Sequence, residues 1–253
     1  HIKILKFDNF YIIHVHIPQA TRTQKPIYKG QNPLQGTYIR QYEGDYKCDE
    51  VAVNKMLAEK VEDSRDSKVL KNFGFDDIEL STFYAYRNIF KSHKPDDARN
   101  ALNDIEFLKN IGAYKTDRES GITGLTVAGL LMFGKSISIE DALPNYNLDY
   151  QERPRAVTEQ RWIDRLTIDG SWSGNVFDFY RIVINKLFAN IKVPFKLEGD
   201  KRKDDTPVHH AIREALINTL VHADFTDRIS VLIVKRPDMF GFRNPGNMRI
   251  PIE

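Results

Sequence analysis

His210, Glu214, Asn218 and His222 recur at four-residue spacing and carry the strongest chemical signal in the sequence. A carboxylate can orient or deprotonate water, and an amide oxygen suits a hard cation that fills its octahedron with phosphate and water oxygens. Imidazoles can hold a metal or move a proton. On an α-helix each four-residue step drifts only about 40°, so these side chains trace one shallow spiral stripe. A solvated helix face and a row of buried, hydrogen-bonded polar groups are the alternative readings. The helix must begin at Thr206, whose hydroxyl can accept a free first-turn N–H, and Pro207, which suits the first helical position; it is expected to run to about His222. Val208, Ile212, Ala215, Leu216 and Thr219 fall on the arc expected to face the core.

After this helix, Ile229 to Val234 is an apolar β-run and Met239 to Arg243 a second strand. Asn244-Pro245-Gly246 is then a turn that brings backbone close to whatever lies beside the helix. Helix, strand, strand and glycine turn is the order of a nucleotide pocket. An ordinary turn glycine is the alternative for Gly246.

Arg213-Glu214-Ala215-Leu216-Ile217-Asn218 resembles the E-x-x-x-N helix motif of the GHKL ATPases. Several further stretches join it: Lys25 to Gly30 with Gly36 to Arg40, Leu125 to Gly134, Ile168 to Asn175, His222 to Phe225, and Phe242 to Asn247. Together they resemble the bacterial Schlafen AlbA-like proteins, which carry a divergent GHKL (HATPase-type) domain and are described as DNA-binding transcriptional regulators or RecG-like helicase-related proteins. The resemblance covers nearly the whole chain. It implies ATP and Mg2+ as cofactors, with Asn218 meeting Mg2+ through ATP, Glu214 as the catalytic carboxylate of a weak ATPase, and His222, Asn244 and Gly246 around the nucleotide. One departure stands out: the adenine-binding D-x-G-x-G becomes Asn244-Pro245-Gly246, and an amide accepts more weakly than a carboxylate.

The elements that position this stripe give an α/β (α+β) chain in three stretches. Residues 1–63 are mostly β: Phe10 to Ile17 alternates as a strand, Ile27-Tyr28 and Thr37 to Arg40 are short strands, and Asp49 to Leu57 starts a helix with an acidic first turn. The resemblance makes this the C-terminal part of an AlbA-like DNA-binding domain. Residues 64–153 form a helical, winged-helix-like middle. It holds a helix from Asp96 to Gly112, a hairpin from Ala113 to Leu125, and a short helix capped by Thr126. Residues 154–253, with an amphipathic helix over Phe177 to Phe188, would be the N-terminal part of an incomplete GHKL α/β sandwich of the Bergerat type.

Other candidates carry less. His14 and His16 share a strand face without a third ligand nearby, and Cys48 has no sequence-local base. His210, Glu214 and His222 as a zinc site match no hydrolase spacing, although stoichiometric zinc would test it. Arg22, Lys25, Lys29 and Arg40 surround Tyr28, a mixture suited to phosphate neutralisation and base stacking. The 37 Lys and Arg against 35 Asp and Glu give a net charge of +2, so nucleic-acid contact must be local rather than that of a polybasic arm. One cysteine excludes an intrachain disulfide scaffold and points to a reducing, cytoplasmic setting. No apolar run reaches the ~18–20 residues of a membrane helix. A chain opening on His1 is expected to be a fragment of something longer. The leading expectation is an ATP-binding regulator in which Mg–ATP modulates DNA binding, with a homodimer among the partners considered. The alternative is a nucleic-acid-binding or dimerisation module with a degenerate, non-catalytic ATPase-like domain.

Overall fold

The structure, a computed structural model, describes residues 2–7, 10–18, 20, 24–41, 44–60, 65–155, 161–189, 191, 197–198, 201–202 and 206–246. The chain is α+β and divides into two compact units, one within residues 1–63 and one within 64–247.

The first unit opens with an antiparallel hairpin, β1 (Ile2–Phe7) and β2 (Phe10–Val15), in register from Ile2↔Val15 to Phe7↔Phe10. Its cross-strand pairs leave apolar side chains exposed on both faces, Ile4 and Ile13 on one and Phe7 and Phe10 on the other. Asn32 then caps a four-residue helix, α1 (Pro33–Gly36), by accepting the Leu34 N–H at 2.9 Å. This helix falls between the two strands expected here, and of the first of them Tyr28 makes an isolated bridge to Thr37. Gly36 is required: a Cβ would lie 2.0 Å from the Lys29 carbonyl oxygen. A second hairpin, β3 (Tyr38–Gln41) and β4 (Gly44–Lys47), leads into α2 (Glu50–Lys60), where Asp49 accepts the Ala52 N–H at 2.6 Å.

The second unit begins with helices. After α3 (Leu80–His93) the apolar spacing predicts one helix from Asp96 to Gly112; instead a 3-10 turn, Ala98–Ala101, is followed by extended Leu102 and α4 (Asp104–Asn110). Two side chains divide it. Asp97 accepts the Arg99 N–H at 3.0 Å and Asn103 the Glu106 N–H at 2.9 Å, and both residues hold extended backbone. The hairpin β5 (Tyr114–Thr116) and β6 (Thr123–Leu125) runs into α5 (Val127–Phe133). Buried Thr126 caps α5: its hydroxyl accepts the Gly129 N–H at 3.1 Å and donates to the Gly112 carbonyl at 2.9 Å. A short α6 (Ser136–Ala142) precedes the sheet strands.

The main sheet joins β7 (Leu148–Glu152), β8 (Asp164–Leu166), β11 (Val231–Arg236) and β12 (Met239–Arg243) in the order β12-β11-β7-β8. β11 lies parallel to β7 and antiparallel to β12. Between them in sequence come α7 (Val176–Phe188), a minimal pair β9 (Leu197–Glu198) and β10 (Lys201–Arg202), and α8 (Pro207–Val221). One sheet face buries Leu148, Tyr150, Val231 and Ile233 in the same core as Val183 and Leu187 of α7 and Ile212 and Leu216 of α8. That core also includes Phe83, Phe107 and Phe133, so elements on both sides of residue 153 pack together.

Candidate functional site

The site is built on α8. The helix starts at Thr206 and Pro207 as expected, with the Thr206 hydroxyl on the His209 ring rather than on a first-turn N–H, and the last backbone bond runs from the His222 N–H to the Asn218 carbonyl at 3.1 Å. The buried arc is His209, Ile212, Leu216, Thr219 and Leu220. Val208, expected on that arc, is 52% exposed and His209 takes its place. Two contacts hold it there, one local and one tertiary: the His209 Nδ1 pairs with the Thr206 hydroxyl at 2.7 Å, and its ring meets Phe188 of α7 edge-on at 4.6 Å.

Glu214, Asn218 and His222 are exposed along one edge, over about 12 Å of helix. The following turn folds back onto the same end. The Asp224 N–H donates to the Pro245 carbonyl at 2.9 Å, and Asn244 is half-buried beside buried Pro245. Gly246 has φ +115°, and a Cβ there would lie 3.4 Å from the Asp224 Cβ and 3.7 Å from the His222 carbonyl oxygen. Gly246 and His222 are thus brought together, with Asn218 one turn back along α8 and Glu214 a further turn away.

Asp224, noted in the sequence only as part of the His222 to Phe225 stretch, was given no role there. Its carboxylate accepts the Thr226 N–H at 3.1 Å and the Thr226 hydroxyl at 2.5 Å, and it faces Arg65 at 3.6 Å. The pattern Asp-x-Thr after a helix end is a local turn signal that would have found it. The polar face of the main sheet was missed too: Asp149 and Gln151 are buried, and Asp149 accepts from Arg165 through two 3.1 Å bonds. Its sequence signal is the period-two alternation of Asp149, Gln151 and Arg153 between Leu148, Tyr150 and Glu152.

The basic candidates of the first unit are less gathered. Arg22 lies outside the described residues. Lys25 is half-buried, Tyr28 and Lys29 are exposed, and Arg40 pairs with Asp45 at 3.2 Å, which offsets its charge. His14 and His16 are exposed, and among the described residues no three His, Cys, Asp or Glu side chains are placed to hold a metal. Cys48 is buried, and burial, with Asp49 adding to it, pushes its thiol pKa up, away from the thiolate a nucleophile needs. No described helix is long and apolar enough to cross a membrane.

An open cleft of about 450 Å³ lies elsewhere, at the starts of α3, α6 and α7, lined by Ser81, Lys135, Ser136, Trp172 and Asp178 among others. Its polar groups are turned to structural use. Asp178 accepts from the Thr82 hydroxyl at 2.5 Å and from the Ser173 hydroxyl at 2.7 Å, and Lys135 donates to the Asp76 carbonyl at 2.8 Å.

The profile of a domain of unknown function, DUF8451, matches residues 54–149. No curated protein matches the sequence significantly. Among solved structures, the crystal structure of the DIP2311 protein from Corynebacterium diphtheriae is similar, with a TM-score of 0.52 at 16% identity over 98% of this chain. The chain spans 45% of that protein's length. At this identity the likeness is one of fold.

Proposed function

We propose that the chain is an ATP-binding regulator of the divergent GHKL, Schlafen AlbA-like kind, in which Mg–ATP on the edge of α8 modulates DNA binding. The observation that supports it is the closure of the Asn244–Gly246 turn on the C-terminal end of α8, beside an exposed edge holding Glu214, Asn218 and His222. In this reading Asn218 would hold the Mg2+ of Mg–ATP through its amide oxygen, and the ion would supply charge neutralisation for the phosphates. Glu214 orients the attacking water in a slow hydrolysis, and His222, Asn244 and the Gly246 backbone line the nucleoside side. The described side chains fit such a group in kind: an amide oxygen, a carboxylate and a backbone with no Cβ in the way. Regulation requires that nucleotide bind two conformations with different affinity. The lone cysteine suits a reducing cytoplasm.

The test is DNA binding by fluorescence anisotropy with and without Mg–ATP, alongside phosphate release. The reading expects an ATP-dependent change in DNA affinity, and loss of phosphate release but not of nucleotide binding in Glu214→Gln. DNA binding that is the same with and without Mg–ATP, and unchanged in Asn218→Ala, supports instead a nucleic-acid or dimerisation module on a degenerate ATPase scaffold.

A further inference from the structure

We propose that the face of the main sheet turned away from α7 and α8 binds the phosphodiester backbone of a single-stranded nucleic acid. Strand register defines this face. Arg243, Leu232 and Asp149 lie in one row, and Gly241, Val234, Gln151 and Arg165 in the next. Arg236 continues the face beyond Val234, and Arg153 beyond Gln151. The opposite face carries the core residues, so the arginines share one side.

Their pairing leaves positive charge over. Arg165 is matched by buried Asp149, with Nε and Nη2 each 3.1 Å from a carboxylate oxygen. The Arg153 guanidinium donates to the neutral Gln151 amide oxygen, at 2.9 and 2.6 Å, and no carboxylate pairs with it among the described residues. Arg236 donates to the Arg155 carbonyl at 3.0 Å and lies 3.6 Å from Asp238, while its Nε is buried without a hydrogen-bond partner among the described residues. Arg161 and Arg243 are exposed, with no ion pair among the described residues.

Trp162 sits among these cations, its ring centroid 4.6 Å from the Arg165 guanidinium carbon and 5.4 Å from that of Arg161. Guanidinium forks match phosphate oxygens two at a time, and an indole already stacked with guanidinium groups offers a surface on which an unpaired base can stack. A sheet face that carries exposed guanidinium groups and an indole over buried Asp149 and Gln151 suits unstacked bases rather than a groove. The proposal is independent of nucleotide binding at α8 and uses none of its residues.

The test is anisotropy of a labelled oligothymidylate of 20 nucleotides, and of a duplex of equal length, with the full chain at several salt concentrations. The proposal expects a preference for the single strand. Arg161→Ala with Arg243→Ala should weaken binding at least tenfold and lower the slope of log affinity against log salt by about 1.4. Trp162→Ala should weaken it about tenfold. All three positions lie outside the core, so a melting midpoint near that of the unaltered chain shows that the fold is kept. Binding is expected with no Mg–ATP present, which separates this surface from the nucleotide reading, and Lys109→Ala, an exposed cation on α4, should leave it as it is. Four results would overturn the proposal: no binding by the unaltered chain, a preference for duplex, unchanged affinity and slope in the double variant, or loss of binding only through Lys29→Ala with Arg40→Ala.

Discussion

Replacing Gly246 with alanine separates the geometry of the α8 turn from its sequence. There is room for a methyl group: a Cβ would meet the Asp224 Cβ at 3.4 Å and the Asp224 nitrogen at 3.6 Å, ordinary contacts or slightly tight ones. The obstacle is the backbone, because φ +115° is far from the left-handed basin near +57° that an L-residue can tolerate. Holding alanine there costs about 1–2 kcal/mol, by analogy with left-handed residues in general. Relaxing toward the basin instead swings the Pro245 carbonyl off the Asp224 N–H, now at 2.9 Å, and forfeits about 1 kcal/mol net. Because either route is open, the expected loss is about 1–3 kcal/mol. For a unit of this size that is roughly 2–12 °C in midpoint at 2–4 °C per kcal/mol. Gly121→Ala is the control: its φ is +71° and nothing lies within 4 Å, so about 1 kcal/mol is expected. The assay is thermal and urea unfolding of both variants, with Gly246→Asn as a partial rescue, since asparagine tolerates positive φ better. A Gly246→Ala chain as stable as the unaltered one would refute the claim that this turn is fixed against α8.

Three further outcomes follow from packing and titration. Thr126→Ala removes the α5 cap and a buried donor to two carbonyls, so urea unfolding should show a loss of about 2 kcal/mol that Thr126→Ser largely restores. Asn175→Ala removes the α7 cap together with buried bonds to Thr82 and the Gly134 carbonyl, and its urea midpoint should fall by a comparable amount. Burial raises the phenol pKa of Tyr146, and burial, then Glu152 and Asp164, raise that of Tyr150. A raised acid contributes stability that is complete below its unfolded value near 10 and is lost as pH climbs toward the folded value. Melting midpoints should therefore fall above about pH 10, less steeply in Tyr146→Phe.

What could be read locally was legible. Thr206-Pro207 marks the start of α8 because capping depends on neighbouring residues alone, and Thr126 does the same for α5. Met239 to Arg243 also appears over its expected span. The break at Leu102 was hidden because the apolar spacing runs through it; Asp97 and Asn103 outcompete helix continuation by offering the backbone side-chain acceptors. The parallel pairing of β7 with β11 joins residues as distant as Leu148 and Val231, and no local pattern names such a partner. On α8 the shared edge of Glu214, Asn218 and His222 follows from spacing alone, whereas the burial of His209 in place of Val208 comes from its packing on Phe188, a tertiary contact that periodicity does not contain. The arginine face stayed unread because membership of one sheet face depends on register between four strands.

The central claim is tested most directly by the thermal unfolding of the full chain against Mg–ATP, with Asn218→Ala alongside. A ligand at 100 times its dissociation constant adds about 2.7 kcal/mol, roughly 5–10 °C for a unit of 150–250 residues. The account predicts a shift of that order that needs magnesium and disappears in Asn218→Ala. No shift in the unaltered chain, or an equal shift in the variant, would contradict it.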